Sequence, residues 1–237
     1  MNAERAVVTG AASGIGRALA TRLAARGSSL LLVDSDGASL AELADELGAQ
    51  AAATDVSDSE AMEAVAREAA DATLVCLNAG VVGSTTGPPW TVPDDEWRRV
   101  LDVNLGGVIN GLRAFVPRML QASPDERHVL LTASLAGLIT FPTGGAYAAS
   151  KHAVVAVAEQ TALALEGTSV TVTMICPALV KTRMSPTGAS PDDVADAALR
   201  AIADGIFAQV PSEWHAAVVD RASRLTTGLA PTFPSPS

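Results

Sequence analysis

Short, continuously apolar runs alternate along the chain with longer segments whose apolar residues recur at helical spacing. The runs at residues 5–9, 29–33, 49–54, 73–77, 128–133 and 169–175 predict six strands, and a shorter one follows at 206–210. Helices are expected from the first glycine loop to about Arg26, over 37–47, over 59–70, and from Pro93 onward with a second segment from Asn104 to Gln121. Three more are expected over 146–166, 191–204 and 212–226. Leu40, Leu43, Ala44 and Leu47 carry the helical spacing, and Ser57 or Asp58 can cap the helix after the third strand. Ser190 and Pro191 read as a cap and first helical turn, whereas 81–93, rich in Gly, Pro and Thr, reads as loop.

Strands that are apolar throughout and separated by helices indicate a parallel sheet covered on both faces. The expected fold class is α/β: a single-domain, Rossmann-type doubly wound parallel sheet of about seven strands, spanning residues 1–230. The Pro/Ser-rich tail, 231–237, is expected to be loosely held. Ligands of such sheets sit beyond the carboxyl ends of the strands. Those ends carry Gly10, Asp34, Asp55, Asn78, Ser134 and Pro177, the groups that a nucleotide site needs.

The chain has 237 residues, almost half of them hydrophobic, which suits one large core. Its net charge of −10 argues against nucleic acid. Cys76 and Cys176 fall in predicted strands and read as buried thiols. His128, His152 and His215 are scattered and suggest no metal site. No signal peptide or bilayer-length apolar run is present, so a soluble, cytoplasmic protein without membrane contact is expected.

Gly10, Gly14 and Gly16 follow a GxxxGxG spacing between the first strand and the first helix. Such a loop turns tightly, lets the backbone approach a pyrophosphate and aims a helix N-terminus at its charge. Asp34, eighteen residues beyond Gly16, ends the second strand where a carboxylate accepts from adenosine ribose hydroxyls. A carboxylate there repels a 2′-phosphate, and neither Ser35 nor Ser13 supplies a positive charge. NAD(H) is therefore expected over NADP(H). Asp34 as a simple loop acid, and Arg17 as a helix-surface residue, are the plainer alternatives.

Tyr147, the only tyrosine, and Lys151 lie four residues apart and share one face of the 146–166 helix. A phenol titrates near 10, and acid–base work near neutrality asks for about three units less, ~4 kcal/mol of differential stabilisation. An ammonium one turn away favours the phenolate. Ser134, at a strand end, could steady a substrate oxygen that shares a proton with the phenol. A surface Tyr–Lys pair is the bland alternative.

Taken in order, Thr9 to Gly16, Asp55, Asn78 to Gly80, Asn104, Ser134, Tyr147xxxLys151 and Pro177 to Thr182 resemble the short-chain dehydrogenase/reductase family. The resemblance implies proton-coupled hydride transfer between a nicotinamide and a carbonyl or hydroxyl carbon. It makes Tyr147 the general acid/base, Lys151 its activator and ribose contact, Ser134 the substrate-orienting group, and Asn104 the holder of a water leading to solvent. It assigns Gly10, Ser13, Gly14, Ile15, Gly16 and Asp34 to the nucleotide and Asp55 with Val56 to the adenine. Asn78, Ala79 and Gly80 would line the path to the nicotinamide, and Pro177, Val180 and Thr182 would place its carboxamide. Plainer readings remain: Asn104 as a helix kink, Thr182 as a cap, Asn78 as a turn former.

Ala178 replaces the family's usual glycine, and its methyl is expected to narrow the nicotinamide pocket without blocking it. Only a short segment separates Thr182 from the helix at Pro191, so a comparatively open pocket is expected. The family's glycine-rich C-terminal ending is absent, which leaves a homodimer more expected than a tetramer. Leu135, Ala136, Thr143, Gly144, Leu179 and Met184 are expected around the substrate; being apolar or small, they favour a hydrophobic secondary alcohol or ketone. Trp90 and Trp214 could reach the pocket, with packing the default role for both. A non-catalytic dinucleotide sensor or scaffold is the alternative on the same fold; an epimerase or a serine hydrolase fits the motifs less well.

Overall fold

Seven strands join one all-parallel sheet: β1 (Arg5–Thr9), β2 (Ser29–Asp34), β3 (Gln50–Ala53), β4 (Leu74–Leu77), β5 (Arg127–Thr132), β6 (Val170–Ile175) and β7 (Ala208–Gln209). Their order across the sheet is β3-β2-β1-β4-β5-β6-β7. The structure, a computed structural model, describes residues 5–85, 87–122 and 126–236. Thr86, within the loop read over 81–93, and Ser237, at the end of the tail, lie outside the described residues.

Side-chain alternation sorts each strand between two cores. Val7, Leu31, Val75 and Leu131 face one side, where α3 (Ser59–Glu68), α5 (Gly107–Gln121) and α6 (Gly145–Ala164) pack through residues such as Met62, Phe115 and Val154. Val8, Leu32, Cys76 and Leu130 face the other, against α1 (Gly14–Ala25), α2 (Gly37–Leu47) and α7 (Pro191–Ala203). Both cysteines are buried within this framework. No helix among the described residues is long and apolar enough to cross a membrane.

The expected caps form where the chemistry allows. Asp58 accepts from the Glu60 and Ala61 amides, and Ser190 from Asp192, with Pro191 opening α7. Three elements differ from the expectation. The helix begun at Pro93 runs over α4 (Asp94–Leu101) and joins α5 through one π turn, Asp102–Gly106, which turns Asn104 inward. β7 is shortened because the Ile206 amide closes the end of α7 on the Ala201 carbonyl at 2.9 Å. A 3-10 turn, Ser212–Trp214, precedes α8 (His215–Thr226), none of whose residues is buried. Of the described tail residues, Phe233 and Pro234 line the cavity at the carboxyl end of the sheet.

The chain builds outward from β1 to β3 and then returns to place β4 on the other side of β1. That reversal opens a crevice at the carboxyl ends of β1 and β4, the place where open α/β sheets take ligands.

Candidate active site

A cleft of about 630 Å³ runs along these strand ends. Gly10 and Gly14 form its floor with φ of +67° and +54°, values that a side chain resists. A Cβ on Gly16 would lie 2.0 Å from the Gly10 carbonyl oxygen, so α1 starts this close to the loop only because the position is glycine. Ser13 caps α1 without a side-chain hydrogen bond, and no acid occupies the first turn. The first amides of α1 therefore offer an unopposed positive end to an anion.

Asp34 stands at the end of β2. One carboxylate oxygen accepts from the Ala12 amide at 3.0 Å and the other from Asp36 at 2.9 Å, which ties the acid to the glycine loop. The spare lone pairs on both oxygens suit ribose hydroxyls. Arg17 turns away to Glu46 at 2.7 Å, which agrees with its reading as a surface residue. Arg183 crosses from the far loop to Asp36 at 3.2 Å and, with Ser39, holds that carboxyl below its ordinary range.

Thr9 anchors the next wall. Its buried hydroxyl accepts from the Asn78 and Ala79 amides at 2.9 and 3.1 Å. The Asn78 side chain donates to the Thr9 carbonyl at 3.0 Å and accepts from the Thr132 hydroxyl at 3.1 Å. Asn78 is thus a turn former whose backbone borders the cleft. Asp55 accepts from both the amide and the hydroxyl of Ser57, at 2.9 and 2.8 Å, and reaches the cleft beside Val56.

At the opposite end of the cleft, Ser134, Tyr147 and Lys151 converge. Ser134 follows β5 and accepts from the Ala136 amide at 3.1 Å, opening a 3-10 turn, Leu135–Gly137. A Cβ on Gly137 would sit 2.5 Å from the Lys151 carbonyl oxygen; its absence lets this turn lie directly on α6. Tyr147 and Lys151 project from α6, and the ammonium lies 5.8 Å from the phenol ring centroid. Lys151 Nζ donates to the Thr132 carbonyl at 2.9 Å. Burial drives the Lys151 pKa down to about 8 and pushes the neighbouring Cys176 thiol up to about 12. Burial also raises the Tyr147 phenol, outweighing a hydrogen bond with Ser134 that acts the other way. The isolated cleft thus favours a neutral phenol, not the activated phenolate that the Tyr–Lys spacing alone suggests.

Asn104 is fully buried beneath the site. Its side chain accepts from the Val81 amide at 2.7 Å and donates to the Val81 carbonyl and the Ser150 hydroxyl, both at 2.9 Å. Ser150 in turn donates to the Tyr147 carbonyl at 2.7 Å. These bonds brace the loop at Val81 against α6, within the π turn that interrupts the helix.

Of the remaining expected residues, Ser13, Ile15, Gly80, Pro177, Val180, Thr182, Leu135, Ala136, Leu179 and Met184 line the cleft. Gly16 lies beneath it, Gly144 faces a neighbouring chamber, and Thr143 lines neither space. The short segment after Thr182 is folded by bridges Val180–Ala189 and Thr182–Ser185. Trp90 does not pack: it is 84% exposed. Trp214 reaches the cleft, the alternative to its packing role. Ile139, Phe141, Phe233 and Pro234 also reach it and were not expected; their only signal was the presence of bulky or rigid apolar residues in segments without helical or strand spacing. Thr9 and Thr132 were likewise hidden, although each sits at a strand end.

The short chain dehydrogenase family model matches residues 4–192. The chain belongs to the short-chain dehydrogenase/reductase family. As a member it is an oxidoreductase, and its fold is the Rossmann-like fold of these enzymes. It is 39% identical over 222 residues to the 1-deoxy-11-beta-hydroxypentalenate dehydrogenase of Streptomyces avermitilis, covering 85% of this chain and 82% of that one. It is 37% identical over 179 residues to a 2-dehydro-3-deoxy-L-rhamnonate dehydrogenase (NAD(+)) of a Sphingomonas species, covering 73% of this chain and 70% of that one. Among solved structures, a short-chain dehydrogenase/reductase from Burkholderia phymatum in complex with NAD superposes with a TM-score of 0.91 at 32% identity. That match covers 99% of this chain and 98% of the other.

Proposed function

We propose that the protein is an NAD(H)-dependent dehydrogenase that interconverts a hydrophobic secondary alcohol and its ketone. The observation that carries this reading is one cleft with the anchored Asp34 carboxylate at one end and Ser134, Tyr147 and Lys151 at the other. The relatives agree with it: one is named for a hydroxylated substrate, another for NAD(+), and a closely superposable structure holds NAD.

The residues present fit a dinucleotide. The first amides of α1, with Gly10 and Gly14, would receive the pyrophosphate, and Asp34 the adenosine ribose. Asp55 and Val56 would flank the adenine, while Asn78, Ala79 and Gly80 would border the path toward Pro177, Val180 and Thr182. When bound, the cofactor supplies or accepts the hydride at the carbinol carbon.

The chain's own groups manage the proton. Ser134 and Tyr147 hold the substrate oxygen. In reduction the Tyr147 phenol gives its proton to that oxygen as the hydride reaches carbon; in oxidation the phenolate takes it back. A neutral resting phenol is primed for the first direction, and a charged Lys151 beside it stabilises the phenolate that this transfer leaves and from which the second direction starts. Asn104 acts as a positioning residue, since its bonds to Val81 and Ser150 hold the cofactor wall and α6 together. Leu135, Ala136, Leu179 and Met184 provide an apolar substrate wall. The exposed Leu120 and Leu163 on α5 and α6 support a homo-oligomer formed through those helices.

A spectrophotometric screen of secondary alcohols and ketones with each cofactor at matched pH tests the reading. Turnover with NAD(H) is expected to exceed that with NADP(H). Failure to bind either dinucleotide, or a clear preference for NADP(H), overturns it.

A further inference from the structure

Beyond α8 the chain reverses in a defined way. Gly228 takes φ +71°, the Leu229 amide donates to the Arg224 carbonyl at 2.9 Å, and the Gly228 amide to Leu225 at 3.5 Å. This pairing is a Schellman closure, which satisfies the last carbonyls of the helix while redirecting the chain. The Arg224 guanidinium, held by Asp220 at 2.8 Å, then donates to the Ala230 carbonyl at 3.2 Å. Pro231, Pro234 and Pro236 fix φ at alternating points along the remainder, so an extended course is kept at low entropic cost.

The redirected tail lies at the reacting end of the cleft. Phe233 and Pro234 line the same space as Ser134 and Tyr147. Together with Ile139 and Phe141, they also line a second chamber of about 700 Å³ between α8, the tail and the start of α6. Phe233 nevertheless remains 78% exposed, so its ring belongs to no packed core. A dinucleotide reaching from Asp34 to Tyr147 takes most of the cleft, and the room left for substrate lies toward this ring.

We propose that Phe233 is the specificity-determining residue of the substrate site. Its ring stands between the two spaces and sets how far a substrate extends from the Tyr147 hydroxyl. The distal rings of a bulky alicyclic alcohol or ketone pass it into the second chamber, whose walls include Trp97, Phe141, Leu225 and Leu229. The inference rests on the oxidoreductase reading given above and adds the size class of the substrate.

Phe233→Ala and Phe233→Trp test it, with 2-decalone as the bulky probe and cyclohexanone as the small one. The measurements are kcat/KM with NADH, NADH affinity, and affinity of each ketone for the enzyme–NADH complex by calorimetry. The Ala variant is expected to raise the decalone-to-cyclohexanone ratio of kcat/KM at least tenfold and the Trp variant to lower it by as much, with NADH affinity unchanged. A ratio that stays within twofold in both variants overturns the proposal. So does a variant that alters only the oligomeric state, which would make the ring an interface residue. If the unaltered enzyme binds NADH and both ketones but reduces neither, the oxidoreductase reading fails for these probes. The ratio of ketone affinities then decides the wall on the same tenfold and twofold terms. Failure of both ketones to bind overturns the proposal as well.

Discussion

Lys151 Nζ lies 5.8 Å from the centroid of the Tyr147 ring and is pinned there by the Thr132 carbonyl at 2.9 Å. The ammonium is therefore held by β5 as well as by α6, and its place beside the phenol does not depend on a flexible side chain. Replacing Tyr147 by Phe keeps the ring and removes the proton. Dinucleotide binding is expected to persist while turnover falls on the order of 10²–10⁴-fold, the usual contribution of general acid–base catalysis. A Phe variant with full activity would refute the assignment.

The burial of Lys151 sets a pH dependence. With its pKa near 8, the ammonium is present below that value and is lost above it. The kcat/KM for ketone reduction is expected to be flat on the acid side and to fall as pH rises through about 8. Lys151→Met should be slow throughout and lack this limb. The same shift has a stability counterpart. Between pH 8 and the unfolded value of 10.5, the unfolded chain binds the proton that the folded chain has released, so stability from this group rises with pH across that window.

The two hydrogen bonds accepted by Asp34 separate its electrostatic role from its structural one. Asp34→Ala removes the charge and frees the Ala12 and Asp36 amides, whereas Asp34→Asn keeps one acceptor oxygen. Both should move the NADPH-to-NADH preference toward NADPH by roughly tenfold or more, about 1.4 kcal/mol. The Ala variant should also lose thermal stability. Unchanged discrimination in both would remove Asp34 from cofactor selection.

Much of this site was legible because its parts lie at strand ends, where a short apolar run stops at a polar residue or glycine. Gly10, Asp34, Asn78 and Ser134 announce themselves that way, and Tyr147 and Lys151 by their spacing on one helix face. The interruption at Asn104 was expected, but not its π form, since Asp102–Gly106 carries the same helical spacing as its neighbours. The approach of Phe233 and Pro234 to the cleft was not legible either, since it depends on the turn that Gly228 and Arg224 set after α8. Trp90 shows the converse, for a large apolar side chain need not find a core.

Gly137 offers a test of how tightly the site is built. An alanine methyl would meet the Lys151 carbonyl oxygen at 2.5 Å and its carbon at 2.8 Å, backbone atoms that cannot swing aside. Gly137→Ala should cost about 1–3 kcal/mol, or about 2–4 °C of Tm per kcal/mol. It should also reduce kcat by displacing Ser134 relative to Tyr147, with NADH affinity retained. A variant matching the parent in Tm and kcat would show that the turn can shift freely.

His128 contributes to the pH dependence of stability on the acid side. Burial lowers its pKa to about 4, its Nδ1 lies 2.7 Å from the Thr171 hydroxyl, and its Nε2 meets no partner among the described residues. Between the unfolded value of 6.5 and pH 4, the unfolded chain binds a proton that the folded one refuses, so stability falls as the pH drops through this range. His128→Gln should flatten that slope in denaturant titrations; an unchanged slope would place the acid sensitivity elsewhere.

The sheet margins have a bearing on how copies of this chain can meet. β3 has four residues and β7 only two, so neither rim offers a long row of open backbone groups to another molecule. Stubby rims of this kind resist runaway strand addition. Lasting association is therefore expected through side chains rather than strand pairing, where a single substitution can weaken it without disturbing the sheet that carries the catalytic end of the molecule.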